Sequence, residues 1–305
     1  MTTPPLLSVG LPNFGSFAGG DWRRLVDLAR VAEDAGCDRV VVVDHVVMGP
    51  NTAAYRWGRF PTGPDAPWLE PLAVLSAMAS ITSTIRLATG ILIAGLRPAA
   101  LLAKQAATVD VLSDGRLELG VGIGWQREEY EALGLRWGDR GRILTDTLAA
   151  CTALWRDLPA TIDTATIHAT EVHCVPQPVQ PGGVPFLLAG TLTPRTIDRI
   201  VRFGAGWIPI MGETVDGVAA GVATLREAFD GAGRDPAGLV VSAAMAMVKD
   251  ADGRPDLDAT IEASADLAAA GATALNLPFQ AFCADLDGAP DVLGRAARRF
   301  AEVHR

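Results

Sequence analysis

Eight short, nearly all-apolar runs rich in β-branched residues recur along the chain, at residues 7–11, 39–43, 86–93, 117–121, 185–189, 207–210, 239–248 and 272–277. Continuous rather than alternating apolar runs mark strands buried on both faces, as in a parallel sheet covered by helices. The intervening stretches have helical spacing. Residues 21–36 open with Asp21 as an N-cap, repeat Leu25, Leu28, Ala29, Val31 and Ala32 on one face, and stop at Gly36. Pro71, Pro98 and Pro194 stand near the first helical position of three more stretches. Further helices are predicted over 142–155, 215–232, 257–270 and 290–303. Strands alternating with helices over 305 residues predict an α/β fold, a closed (β/α)8 TIM barrel forming a single domain over 1–305. Two segments exceed what a connection needs, so insertions are expected after strand 2 (45–69) and before strand 5 (157–181). The second reads as a small hairpin or extended excursion. The first lies on the C-terminal face, where barrels build their active sites, and is read as a lid.

Composition narrows the function classes. An apolar content of 49% is ample for a full core, which excludes disordered chains and disulfide-stapled mini-folds. The 26 basic and 35 acidic residues give a net charge of −9, which argues against nucleic acid or an anionic membrane as a partner. Cys37, Cys151, Cys174 and Cys283 show no C-x-x-C spacing and read as reduced thiols. The first 25 residues have no basic leader region, and the most apolar stretch, 87–96, is about half the length needed to cross a bilayer. A soluble, cytoplasmic protein acting on a small molecule is expected.

Three motifs carry candidate chemistry. VVVDHVVMGP places Asp44 and His45 at the C-terminal rim of the second strand. An imidazole can give or take a proton near neutral pH, and an adjacent carboxylate can fix its tautomer, so His45 and Asp44 are the candidate catalytic pair. A histidine that merely ties down the insertion is the alternative. In GRLELGVGIGWQREEYEALG, Gly120, Gly122 and Gly124 alternate at the end of the fourth strand, where missing side chains let a flat group approach the backbone. Neither the G-x-G-x-G spacing nor the position fits a Rossmann fingerprint. Trp125, Gln126, Glu128 and Glu129 follow as a rim segment, although the carboxylates equally suit a solvated first helical turn favoured by the helix dipole. In FLLAGTLTPRTIDRI, the backbone N–H groups of 190–193 and the Thr191 and Thr193 hydroxyls suit an anion at a helix N-terminus. Thr193 before Pro194 also suits a plain N-cap, and the residues alone leave both open. His168 and His173 have opposite parity on an extended segment, so a metal shared with Cys174 is not expected.

The stretch TSTIRLATGILIAGLRPAALLAKQAATVDVLSDGRLELGVGIGWQREEYEALG resembles the signature region of the luciferase-like monooxygenase superfamily, in its coenzyme F-420-dependent oxidoreductase branch. DHVVMGP, PQPVQPGGVPFLLAGT and FGAGWIPI agree, so the resemblance spans residues 6–235. It implies a TIM barrel, often a homodimer, with a flavin or deazaflavin ring in the barrel mouth. It also implies a non-prolyl cis peptide at Gly90–Ile91, with Thr89, Gly90 and Ile91 against the ring. Gly122, Gly124 and Trp125 would lie beside the cofactor, while Gly190, Thr191 and Thr193 would hold its phosphate. His45 matches the histidine beside the reacting substrate carbon. Trp125 stands where sugar-phosphate dehydrogenases of the superfamily carry a glutamate, and Ile123 where bacterial luciferase has a phosphate-binding arginine. The expected activity is hydride transfer between coenzyme F-420 and a small organic substrate. A reduced-FMN-dependent monooxygenase is the alternative, and a barrel that binds cofactor or ligand without turnover is the reading from a different class.

Overall fold

The structure, a computed structural model, describes residues 3–305. Four strands, β1 (Leu6–Gly10), β2 (Arg39–Val42), β3 (Arg86–Leu92) and β4 (Leu117–Val121), alternate with helices α1 (Trp22–Ala35), α2 (Pro71–Ala79) and α3 (Ala99–Leu112). After β4 come the short α4 (Arg127–Ala132) and the long α5 (Arg140–Arg156). An antiparallel pair, β5 (Ala160–Asp163) and β6 (His168–Val172), forms the hairpin expected of the second insertion. The barrel resumes with β7 (Phe186–Ala189), α6 (Pro194–Phe203), β8 (Gly204–Ile208), α7 (Val215–Gly231), β9 (Val240–Ala244), α8 (Leu257–Ala269), β10 (Ala274–Leu277) and α9 (Ala289–His304). The eight barrel strands close in the order β1-β10-β9-β8-β7-β4-β3-β2, and every pair is parallel. The molecule is therefore the (β/α)8 barrel that the sequence pattern predicts.

Local chemistry explains the boundaries. The Asp21 side chain accepts from the Arg24 N–H, and Gly36 ends α1 at φ 90°, a left-handed conformation that glycine adopts at little cost. Pro71 opens α2, and Pro98 stands just before α3 as its N-cap. β8 starts at Gly204 rather than Trp207, because its first residues are small and lack the apolar signature, although Gly204 and Gly206 are buried. β9 ends at Ala244, short of the apolar run that suggests it.

A polar layer fills the lower barrel. Arg39, only 1% exposed, donates from Nε to Ser8 Oγ (2.7 Å), from Nη1 to Glu118 Oε2 (2.8 Å), and from Nη2 to Ser242 Oγ and Asn276 Oδ1. Glu118 also accepts from Arg86 Nη1 at 2.8 Å. Such a buried charge is tolerable only because its partners surround it. Among the described residues, no helix is long and apolar enough to cross a membrane.

Candidate active site

Above the polar layer, a cavity of about 1730 Å³ opens at the C-terminal face. It is larger than a pocket for one drug-sized ligand, which runs to about 1,000 Å³, and so has room for more than one small molecule. Three banks line it.

The first bank is built on the β2 exit. His45 has a side chain only 8% exposed, and its Nδ1 lies 3.1 Å from Glu129 Oε2. The other Glu129 oxygen accepts the Val46 N–H at 2.9 Å. Glu129 is fully buried, so the alternative of a solvated first turn of α4 fails for this residue. Gln126 accepts the Gly49 N–H at 2.7 Å, and Gly49 packs so closely on Glu128 that a Cβ there would meet its Cγ at 2.6 Å. Around the imidazole, Phe60, Trp68 and Trp125 stand nearly edge-on, with ring centroids at 5.6, 4.7 and 5.7 Å. Phe14 stacks on Trp68 at 4.3 Å. The insertion is pinned at its far end, where Phe14 bridges Trp68 and the Asn13 amide donates to Val43 and Leu69 carbonyls.

Asp44 corrects one expectation. Its carboxylate does not orient His45. Oδ2 accepts from the Ile93 N–H (2.9 Å) and Arg97 Nη1 (2.7 Å), and Oδ1 accepts from Arg97 Nη2 (3.0 Å). The strand ends at Val42, and beyond it the two neighbouring side chains take separate partners. Burial lowers the proton affinity of Arg97, but its hydrogen bonds and charge contacts with Asp44 and Glu70 outweigh this and raise its pKa above the ordinary arginine value. The His45 partner is Glu129, which lies 84 positions away and carries no local signal.

The second bank consists of backbone with little room for side chains. The Gly90–Ile91 peptide is cis, as the resemblance implies. Thr89, buried, donates its hydroxyl to the Gly120 carbonyl at 2.8 Å. A Cβ at Gly90 would lie 2.5 Å from Val41 Cγ1, and one at Gly122 would lie 3.0 Å from Ile91 Cδ1. Gly124 sits at φ +69° against Ile93. Gly90, Ile91, Gly122, Gly124 and Trp125 all face the cavity, which suits a flat ring lying against the chain.

The third bank is basic. Gly190 adopts φ +126°, and its carbonyl accepts from Trp207 Nε1 at 2.7 Å. The Thr193 hydroxyl accepts the Thr196 N–H at 3.2 Å, so it caps α6. Thr191, Thr193 and Thr196 line the cavity with Arg140, Arg195 and Arg199. The Arg140 guanidinium lies 4.0 Å over the Trp137 ring, and its Nε is buried without a partner. Burial, then the nearby Arg195 charge, lower the Arg199 pKa. Arg142 lines the same bank, and Asp139, Asp146 and Asp198 offset much of its positive charge.

Trp57, Trp68 and Trp125 line the cavity, while Trp22 packs against the core. Phe14, Tyr55 and Phe60 complete the aromatic wall and were not singled out by the sequence. Burial raises the Tyr55 phenol pKa, and its hydroxyl reaches Met211 Sδ across the mouth at 4.0 Å.

A closed parallel barrel with a flat backbone shelf and a histidine in an aromatic wall has the form of a pocket for small molecules. The profile of the luciferase-like monooxygenase family matches residues 8–289, and the chain belongs to that family of oxidoreductases. It is 33% identical over 215 residues to an uncharacterised protein of Mycobacterium tuberculosis, covering 68% of this chain and 74% of the relative. Its fold is that of a monooxygenase from Streptomyces bottropensis (TM-score 0.77, 19% identity, 97% of this chain and 98% of that one). It is similarly that of an F-420-dependent secondary alcohol dehydrogenase in complex with an F-420–acetone adduct (TM-score 0.76, 16% identity, 98% and 99%).

Proposed function

We propose that the chain is a two-electron oxidoreductase that uses coenzyme F-420 to reduce a small, largely apolar carbonyl compound or to oxidise the matching alcohol. The observation that carries this reading is His45, held by a buried carboxylate through one ring nitrogen and facing an aromatic cavity that also contains the glycine shelf. The shelf suits a flat tricyclic ring, since Gly90, Gly122 and Gly124 line the cavity with backbone and no side chain. The turn at Gly190, Thr191 and Thr193, with Arg195 beside it, fits an anionic tail at the N-terminus of a ten-residue helix. When bound, the deazaflavin supplies or accepts hydride at position 5 of its ring. His45 would give a proton to the substrate oxygen during reduction, or take it during oxidation. Phe60, Trp68 and Trp125 would exclude water and present apolar faces to the substrate.

The second reading is a reduced-FMN-dependent monooxygenase. The likeness to a monooxygenase fold supports it, and FMN differs from a deazaflavin at position 5 of the ring, a change in one atom that cavity shape hardly resolves. Parallel titration of the purified protein with F-420 and FMN, followed by absorbance or fluorescence, tests the choice. Micromolar or tighter binding of F-420 with none of FMN is expected. The opposite result would overturn the deazaflavin reading.

A further inference from the structure

We infer that Glu129 is a positioning residue that fixes the tautomer of His45, holding the proton on Nδ1 and leaving Nε2 for the cavity. The inference rests on the reading of His45 as the proton-handling group only for its effect on turnover.

The argument starts from what a carboxylate can do. An ionised glutamate only accepts hydrogen bonds. Both Glu129 oxygens are engaged, one by the Val46 N–H at 2.9 Å and the other by His45 Nδ1 at 3.1 Å. The Val46 bond fixes which oxygen faces the ring, so Nδ1 must be the donor and therefore carry the proton. No other hydrogen bond to the ring is found among the described residues, which leaves Nε2 as the free acceptor of the neutral ring and the donor of the charged one.

The support is rigid. Tyr130, next to Glu129 and fully buried, donates its hydroxyl to the Ile123 carbonyl at 2.7 Å, which ties α4 to the end of β4. Burial makes the carboxylate costly unless it is partnered. A six-residue surface helix could have kept that charge in water, yet the side chain turns inward onto the imidazole.

A purely structural role, tying Val46 in place, makes a different prediction for one substitution. In Glu129→Gln the amide oxygen can keep the Val46 bond, while the amide N–H₂ faces His45 and donates to Nδ1. The variant satisfies both contacts but moves the ring proton to Nε2. Side-chain 15N NMR at a pH where the ring is neutral, with His45 assigned by difference from a His45→Gln sample, reads the tautomer directly. Protonated Nδ1 is expected in the parent protein and in Glu129→Asp, and protonated Nε2 in Glu129→Gln. With F-420 and a carbonyl substrate, kcat of Glu129→Gln should fall about 10²-fold with KM nearly unchanged, and Glu129→Asp should recover part of the loss. A parent protein with its proton on Nε2 would overturn the inference, whether or not any variant folds. So would a folded Glu129→Gln variant whose ring proton stays on Nδ1, whereas a variant that flips the tautomer and keeps full kcat would overturn only the effect on turnover. Absence of turnover by the parent protein with every donor would instead count against the oxidoreductase reading, and the NMR result would stand apart from it.

Discussion

The floor and the rim of the barrel both bury charge, and they treat it differently. At the floor, Arg39 is enclosed by Ser8, Glu118, Ser242 and Asn276, and Glu118 is shared with Arg86, so the partners surround the charge on every side. At the rim, Asp44 is equally engaged, by Ile93 and both terminal nitrogens of Arg97. His45, its neighbour in sequence, is held through Nδ1 alone. A polar group with all its partners inside the protein maintains shape, whereas one held from a single side remains available to a ligand. Polarity in the cavity wall therefore does not by itself mark the reacting group.

Removing Glu118 breaks this comparison most severely. Glu118→Ala would leave the Arg39 guanidinium uncompensated in the barrel, and a loss of about 3–5 kcal/mol in urea unfolding is expected. If stability hardly changed, the floor would be wetter or more adaptable than its geometry indicates. At the rim, His45→Ala should cost less, about 1–3 kcal/mol, because the buried Glu129 carboxylate keeps its bond from the Val46 N–H. It should reduce kcat about 10²–10³-fold, within the usual range for a positioned acid or base, with cofactor affinity retained. Unaltered turnover would remove His45 from the proton step. The smallest effect sharpens the distinction within the basic bank. Thr193→Ala removes both a helix cap and a hydroxyl lining the cavity, and should cost about 1 kcal/mol of stability and weaken F-420 binding as well. Thr191→Ala should weaken F-420 binding alone, measured by the same two assays.

The barrel was legible because each level of the sequence agreed with the next. Apolar runs buried on both faces, Asp21 and Gly36 at the ends of α1, and the Thr193–Pro194 start of α6 all describe local physics, and they survive intact. The failures came where local and distant signals compete. Asp44 next to His45 suggested a pair, but the carboxylate is taken up by Arg97, 53 positions on. Glu129 occupies the first turn of a helix, where an acidic residue needs no further explanation, and only the closed barrel brings it to the β2 exit. Phe60 and Tyr55 lie in a segment rich in glycine and proline with no periodicity to orient them. Their place in the wall depends on how that segment folds back across the mouth.

That segment is hydrogen-bonded to the scaffold near both ends, while its middle leans on the site through the Tyr55 and Phe60 rings. Near its start, Val46 and Gly49 are bonded to α4 and the residue before it, and near its close Trp68 and Leu69 are joined to Phe14 and Asn13. The stretch from 50 to 66 is thus an exchangeable cassette: grafting a different sequence there would change which molecules are admitted, while the proton-bearing imidazole keeps its anchorage on a separate part of the scaffold.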